Sequence, residues 1–310
     1  MRKIVEFTHP GREYIPLSRK RDDNVLFTKS DRSEGIRFWN QLSSHKRKFI
    51  KIKSSYIDSL NDKHLKKSQI TFWGEWEAQS KFKKTPNTSD KDLPFYIHIP
   101  CLDESEILLS AHNTDPFVFG ENFWYTNCKQ WRNKFLRKLS NYSIILFGTE
   151  RANGFNLDTV FVVKESFSQN EVLNISKDLP KQLKDTNLMV NDLMIDEDKD
   201  FNRFYKGVNF YDNKEFFSYV PCKPYNSLSE SHGRPIISWE DFKLQKPGAR
   251  TVCTPILKDK YVENSLPIEE AKNYWEKITN ECIKQGFSLG FDLELPPLIN
   301  QKYDDIKFNL

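Results

Sequence analysis

The chain has 310 residues, 47 Lys+Arg against 43 Asp+Glu and a formal charge of +4, length enough for one large domain or two ordinary ones without staples. At 38% apolar and 29% charged residues it is leaner and more charged than an average soluble domain, yet 24 Phe, 12 Tyr and 7 Trp exclude a disordered chain, because disordered sequences are aromatic-poor. No run reaches the ~18–20 apolar residues of a membrane helix, and Glu6, His9 and Arg12 interrupt any secretory apolar region; the five scattered cysteines, with no Cys-x-x-Cys pair, predict reduced, buried thiols in a cytoplasmic protein without a membrane partner.

In chain order, Ile4 to Phe7 reads as a strand that Pro10 and Gly11 end in a turn. That turn can present His9 and Arg12 to a ligand, where an arginine is suited to grip a phosphate or carboxylate with two parallel hydrogen bonds, or it is a plain surface turn with an Arg-Glu contact, the reading favoured. Residues 1–53 carry 14 Lys/Arg against 6 Asp/Glu. His45-Lys46-Arg47-Lys48, Lys51, Lys53 and then His64, Lys66 and Lys67 extend that surplus, which predicts either a solvated lysine-rich surface or a basic stripe, centred on Arg47 and Lys48, that gathers phosphates by Coulomb attraction and counterion release.

Ile70 to Glu77 is rich in aromatic residues and predicts a strand with Trp73, Glu75 and Glu77 on one face and Phe72, Gly74 and Trp76 on the other. Ser80 to Asp92 is polar and aperiodic and reads as a surface loop. Phe95 to Ile99 resumes as a short strand. Trp131, Phe135, Leu136 and Leu139 fall at helical spacing among basic residues and predict a basic amphipathic helix. Ser143 to Phe147 and Asp158 to Val163 read as consecutive strands joined through Gly148 to Glu150 and Asn153-Gly154.

Residues 178–200 hold seven Asp/Glu against three Lys and read as an acidic connector. It divides an aromatic-rich, ligand-binding β-rich region (1–177) from a C-terminal α+β region packed on it (201–310). In the latter, Phe201 to Tyr211 and Phe216 to Val220 are strand-like. Pro267-Ile268-Glu269-Glu270 then opens a helix whose apolar stripe is Ala271, Tyr274, Trp275, Ile278, Cys282 and Ile283, stopped by Gly286. The fold class expected is α+β, a mixed or antiparallel barrel-like sheet with peripheral helices, since regular βαβ alternation is missing.

The densest gathering of polar and aromatic residues lies between Trp73 and Asp158. Trp73 and Trp76 offer stacking platforms; His112, Asn113, Asn127, Gln130 and Asp158 offer donors and acceptors for the edge of a base. Each of these residues equally suits a cap, a turn or a core position. The same stretch also supports hydrolysis, with Glu75, Glu77 and Asp115 as metal ligands or as acid and base. Cys128 with His112 would make a nucleophile pair only if the fold joined them. Walker, Gly-x-Gly-x-x-Gly and Gly-x-Ser-x-Gly motifs are missing, and no cofactor is indicated.

Leu139 to Gly148, followed by Phe155 to Val163, resembles the barrel strands of PUA-like domains, the superfamily of ASCH, EVE and YTH domains. Asn141-Tyr142-Ser143 stands where that pattern has Gly-Asp. The resemblance covers about a tenth of the chain and rests on strand placement. It implies a small curved barrel with outer helices and an aromatic cleft for a nucleobase or RNA, with Trp73 and Trp76 as its aromatic candidates. Phe72 to Glu77 and His112 to Gln130 also resemble uncharacterised microbial domains associated with nucleic-acid modification or defence. The expected function is binding of a nucleic acid or nucleotide. The alternatives are a metal-dependent nuclease or nucleotide-modifying enzyme, and a protein-interaction subunit whose acidic 196–200 stretch and basic N-terminal third are docking surfaces.

Overall fold

Alternating β-branched and aromatic residues make strands the dominant local structure. The computed structural model describes residues 1–9, 18–21, 25–28, 47–78, 80–85, 94–103, 114–126, 128–130, 132–151, 153–168, 171, 179–180, 203–225, 233–244, 253–256 and 265–299. The first strands are β1 (Ile4–Thr8), β2 (Ser18–Arg21), β3 (Val25–Thr28), β4 (Arg47–Ile57), β5 (Lys66–Glu75) and β6 (Ser80–Lys84). Then come β7 (Tyr96–Pro100), β8 (Leu102–Asp103), β9 (Trp124–Tyr125), β10 (Ile144–Arg151), β11 (Gly154–Ser168) and β12 (Arg203–Gly207). The last are β13 (Val220–Pro224), β14 (Ile236–Ile237), β15 (Cys253–Ile256), β16 (Ser288–Leu293) and β17 (Leu298–Ile299), with helix α1 (Ile268–Lys284) before β16.

One sheet has the order β15-β1-β10-β11-β12-β9, with β14 added to β11, and only its β1–β10 pair is parallel. The second runs β16-β13-β5-β4-β7-β6-β3-β2. In it β4 is long enough to hold β5 along one edge and divide the other, pairing β7 at Phe49 and Ile50 and β16 from Ser54 to Ile57. Since β16 also pairs β13, and β13 pairs β5, the four strands β4, β5, β13 and β16 close an antiparallel barrel. Both sheets draw strands from residues 1–177 and from 201–310, so those stretches are joined by strand pairing. The acidic connector lies outside the described residues apart from Leu179 and Pro180.

The molecule is therefore mostly β, a mixed sheet beside a closed antiparallel barrel, and the expected set of peripheral helices reduces among the described residues to the single α-helix α1. That helix follows the sequence pattern: Ala271, Trp275, Ile278 and Cys282 are buried, and Gly286 turns the chain at φ +77°. Lys134–Lys138, by contrast, forms a short 3-10 helix where an amphipathic α-helix was expected. Asn133 before it is non-helical, and at three residues per turn Leu136 and Leu139 still share one buried side. The expected loop from Ser80 begins instead as β6, whose Ser80, Lys81 and Phe82 are buried between β7 and β3. The strands that carry the PUA-like resemblance are β10 and β11, which lie in the mixed sheet outside the closed barrel.

Two apolar layers result. Val5, Phe7, Ile145, Phe147, Phe161 and Val163 pack in one layer with Ile50, Ile70 and Phe72 of the second sheet and with Trp76 just past the end of β5. Ile4, Ile144, Leu146, Val160 and Val162 point the other way, to a layer shared with Trp275 and Ile278 of α1.

Candidate functional site

At the ends of these strands a charged seam joins the two sheets. Arg47, the first residue of β4, lies opposite Glu75, the last of β5, and its Nη2 donates to Glu75 Oε2 at 2.7 Å. Its Nη1 donates to Asp158 Oδ2 at 3.2 Å. Arg234 Nη1 stands 3.6 Å from the other Asp158 oxygen and donates to Thr149 Oγ1 at 3.3 Å. At the opposite end, His9 Nδ1 is 3.6 Å from Glu75 Oε2, and His9 Nε2 is 3.5 Å from Cys128 Sγ. A continuous polar chain thus runs Cys128, His9, Glu75, Arg47, Asp158, Arg234.

Local structure explains how Asp158 joins it. β10 and β11 slip register where Phe147 pairs Thr159 but Gly148 pairs Leu157, so Asp158 is the extra residue of a bulge, a device that re-aims a side chain. Phe155 and Leu157 before the bulge and Val160 and Val162 after it pack into the same layer; the two residues between them, Asp158 and Thr159, therefore leave that face together. Gly148 permits the close approach, since a Cβ there would lie 2.4 Å from the Asn156 carbonyl oxygen. The same Gly148 carbonyl accepts the His9 N–H at 2.8 Å, which brings His9 to the bulge.

The seam is desolvated. Side chains of His9, Arg47, Glu75 and Asp158 are about 1% exposed, and only Arg234, at 10%, reaches further toward solvent. Burial pushes the Asp158 carboxyl up to about 6, against the opposing pull of Arg234 and Arg47. Charges are seldom buried without pairing, and perturbed groups of this kind gather at functional sites as well as in structural networks. Two donors there lack a hydrogen-bond partner among the described residues, Arg47 Nε and Trp73 Nε1. Trp73 lies against Phe49 with ring centroids 4.8 Å apart, and the Arg234 guanidinium sits 4.6 Å over its ring.

Of the residues nominated from sequence, Arg47, Glu75, Asp158 and Trp73 are brought together. The two basic residues do not form a surface stripe, however: Arg47 is 1% and Lys48 0% exposed. The alternation of β4 sends Lys48 to the opposite face from Arg47, where its Nζ donates to Ala78 O and Ser80 Oγ at 3.1 and 3.2 Å. Ser80 in turn contacts His98 Nδ1 at 2.8 Å, and burial, helped by Lys48, holds His98 well below the usual histidine range. Trp76 is wholly buried, its ring 5.2 Å from Phe119. Asp115 accepts the backbone N–H groups of Thr126 and Cys128 at 3.0 and 2.8 Å and braces that turn. Gln130 exchanges two hydrogen bonds with the Arg203 backbone, extending the β12 edge. Glu77 is buried, and its N–H donates to Thr114 Oγ1 at 3.2 Å. Among the described residues no group of three His, Cys, Asp or Glu side chains gathers as a metal site requires. Arg12, His112, Asn113 and Asn127 lie outside the described residues.

Sequence reasoning placed His9 in an outward turn, whereas it is buried beside Cys128; His112, weighed as a partner for Cys128, lies outside the described residues. The signal for His9 was present, because it continues the Val5, Phe7 alternation into the layer between the sheets. Arg234 and Thr149 carried none, since their place depends on the bulge and on packing between distant segments. Elsewhere, a cleft of about 460 Å³ opens between Phe119, Trp124, Leu293 and Leu295, with Glu121, Asp292 and Glu294 on its walls. Comparison with protein-family models, with curated proteins and with solved structures gives no match to this chain.

Proposed function

We propose that the chain binds a nucleotide or a nucleic acid at the Arg234 end of the seam. The observation that carries this reading is the Arg234–Trp73 stack beside Asp158. A guanidinium plane backed by an indole is a platform on which a base stacks, and the same guanidinium is suited to a phosphate. The buried Trp73 Nε1 and Arg47 Nε are donors that a ligand acceptor would satisfy, and leaving them unpaired costs about 1–3 kcal/mol each. The balanced charge of the seam favours a ligand carrying both donors and acceptors over a simple polyanion.

The test is a fluorescence titration of the full chain with single-stranded RNA, single-stranded DNA and nucleoside triphosphates at low salt. At least one class binds, with affinity that weakens as salt rises. Arg234→Lys keeps the charge but loses the plane, and should weaken binding by ~1–3 kcal/mol, roughly tenfold or more. Absence of binding by all three classes, or an Arg234→Lys chain that binds like the unaltered one, rejects the reading.

A further inference from the structure

The other end of the seam has the layout of an activated thiol. Cys128 Sγ is 3.5 Å from His9 Nε2, and His9 Nδ1 is 3.6 Å from Glu75 Oε2. The imidazole stands edge-on to Phe7, with centroids 4.5 Å apart, and near Phe147 at 5.6 Å, so its plane is fixed by packing. At 3.6 Å the Glu75 carboxylate acts on His9 Nδ1 through charge and not through a hydrogen bond; that attraction favours the proton on Nδ1, the tautomer that turns the Nε2 lone pair toward sulfur. Nucleophile, base and orienting group in that order is the arrangement by which catalytic thiols are activated, against the effect of burial, which by itself raises a thiol.

We propose that Cys128 is a nucleophile that takes an alkyl-type carbon electrophile, with His9 as its base and Glu75 as the residue that positions His9. The Sγ–H proton passes to His9 Nε2, and the sulfur electron pair forms the new S–C bond. The bond from that carbon to its leaving group breaks, the pair departs on the leaving group, and His9 returns the proton to it. The products are an S-alkylated Cys128 and the protonated leaving group. Displacement at saturated carbon is favoured over acyl transfer by the local hydrogen bonds. Acyl transfer builds an oxyanion that needs donors, and the N–H groups of Thr126 and Cys128 are both given to Asp115. The assignment holds whichever ligand Arg234 receives.

Iodoacetamide, an alkyl electrophile, tests it on the full native chain, with each cysteine followed by peptide mass mapping across pH. Cys222 and Cys282 are internal controls of equal burial, all three thiols being 0–1% exposed, and burial raises both, Cys282 to about 12, so that His9 is what sets Cys128 apart. Cys128 should react about tenfold faster than either near pH 6.5, with a rate that levels off below the ordinary thiol range near 8.5. His9→Gln should remove that advantage; Glu75→Gln should move the inflection of the profile while leaving Cys128 the fastest thiol. Labelling of Cys128 in the unaltered chain no faster than Cys222, or a profile that His9→Gln leaves unchanged, overturns the proposal. Acetylation of Cys128 by p-nitrophenyl acetate as fast as its alkylation overturns the alkyl assignment.

Discussion

On one face of the mixed sheet, Ile144, Leu146, Val160 and Val162 meet Trp275 and Ile278 in a layer held by apolar contact. At one end of the same strands, the polar side chains of Asp158, Arg47, Glu75 and His9 are equally buried but held by directed ionic and hydrogen-bonded contacts. The first arrangement gains from every methylene removed from water and tolerates small displacements. The second costs desolvation for each charge and recovers it only while every partner is in place. Such seams occur at functional sites and in structural networks alike, and the bulge that aims Asp158 into this one interrupts an otherwise regular ladder. α1 shows the opposite economy, its buried polar contacts being few and uncharged, among them Trp275 Nε1 to the Phe217 carbonyl at 2.9 Å and Thr279 to Tyr219 at 3.0 Å.

Two large perturbations separate the regions. Trp275→Ala empties a 1%-exposed site in the apolar layer and should lower unfolding free energy by ~3–5 kcal/mol, nearly independent of pH. Arg47→Met strands Glu75 and Asp158 without their shared cation and should cost a similar ~3–5 kcal/mol, but with a loss that shrinks on acidification as those carboxyls take up protons. Urea denaturation at several pH values reads both; an Arg47→Met loss that is flat with pH would place the seam's contribution in packing alone.

A combined Arg47→Met, Glu75→Leu, Asp158→Leu chain sharpens the point. Replacing a buried ion triad by apolar residues of similar volume is often neutral in stability; with Arg234, 10% exposed, left to reach solvent, this chain should be more stable than Arg47→Met alone while losing ligand binding at Arg234. A stable triple variant that still binds would detach the seam from the function proposed for it.

Asp158 sets a pH dependence of definite sign. Its folded carboxyl titrates near 6, against an ordinary value of about 3.9 when unfolded, so between those values the folded chain holds the proton more tightly. Stability is therefore greatest at the acid end of that window, falls as pH climbs through about 6 and is flat above it. Asp158→Asn should erase that slope. Thermal melts at pH 5, 6 and 7 check this, and a slope that survives in Asp158→Asn would assign it to another group.

The smallest expected effect lies in the closed barrel. A Cβ at Gly290 would stand 3.1 Å from Cys222 Sγ and Val220 Cγ2 and 3.2 Å from Ile70 Cδ1, all side-chain atoms able to yield slightly. Gly290→Ala should cost about 1 kcal/mol by overpacking, with ligand binding and Cys128 reactivity unchanged. A change in either would show that barrel and seam are coupled through β4 and β5.

Much of this was written locally. The 3.6-residue stripe from Ala271 to Ile283, closed by Gly286, defines α1 because helix periodicity and capping involve only neighbours in sequence. The alternation of Ile144 to Phe147 and of Val160 to Val163, with a turn between, defines a hairpin for the same reason. The alternation Trp73, Glu75 on one face also held, since β4 pairs Phe49 with Trp73 and Arg47 with Glu75. Composition likewise required an aromatic core. What tertiary structure alone decided was which strands close on one another and which charges are buried. Arg47 and Lys48 read as a surface because a lysine or arginine run is usually solvated; they are inside because β4 lies centrally in its sheet and finds Glu75 from β5 and Asp158 from a bulge 111 residues away. The meeting of His9 with Cys128 spans 119 residues. Such contacts depend on register, bulge and strand order summed over the whole chain, and no local pattern of residues encodes them.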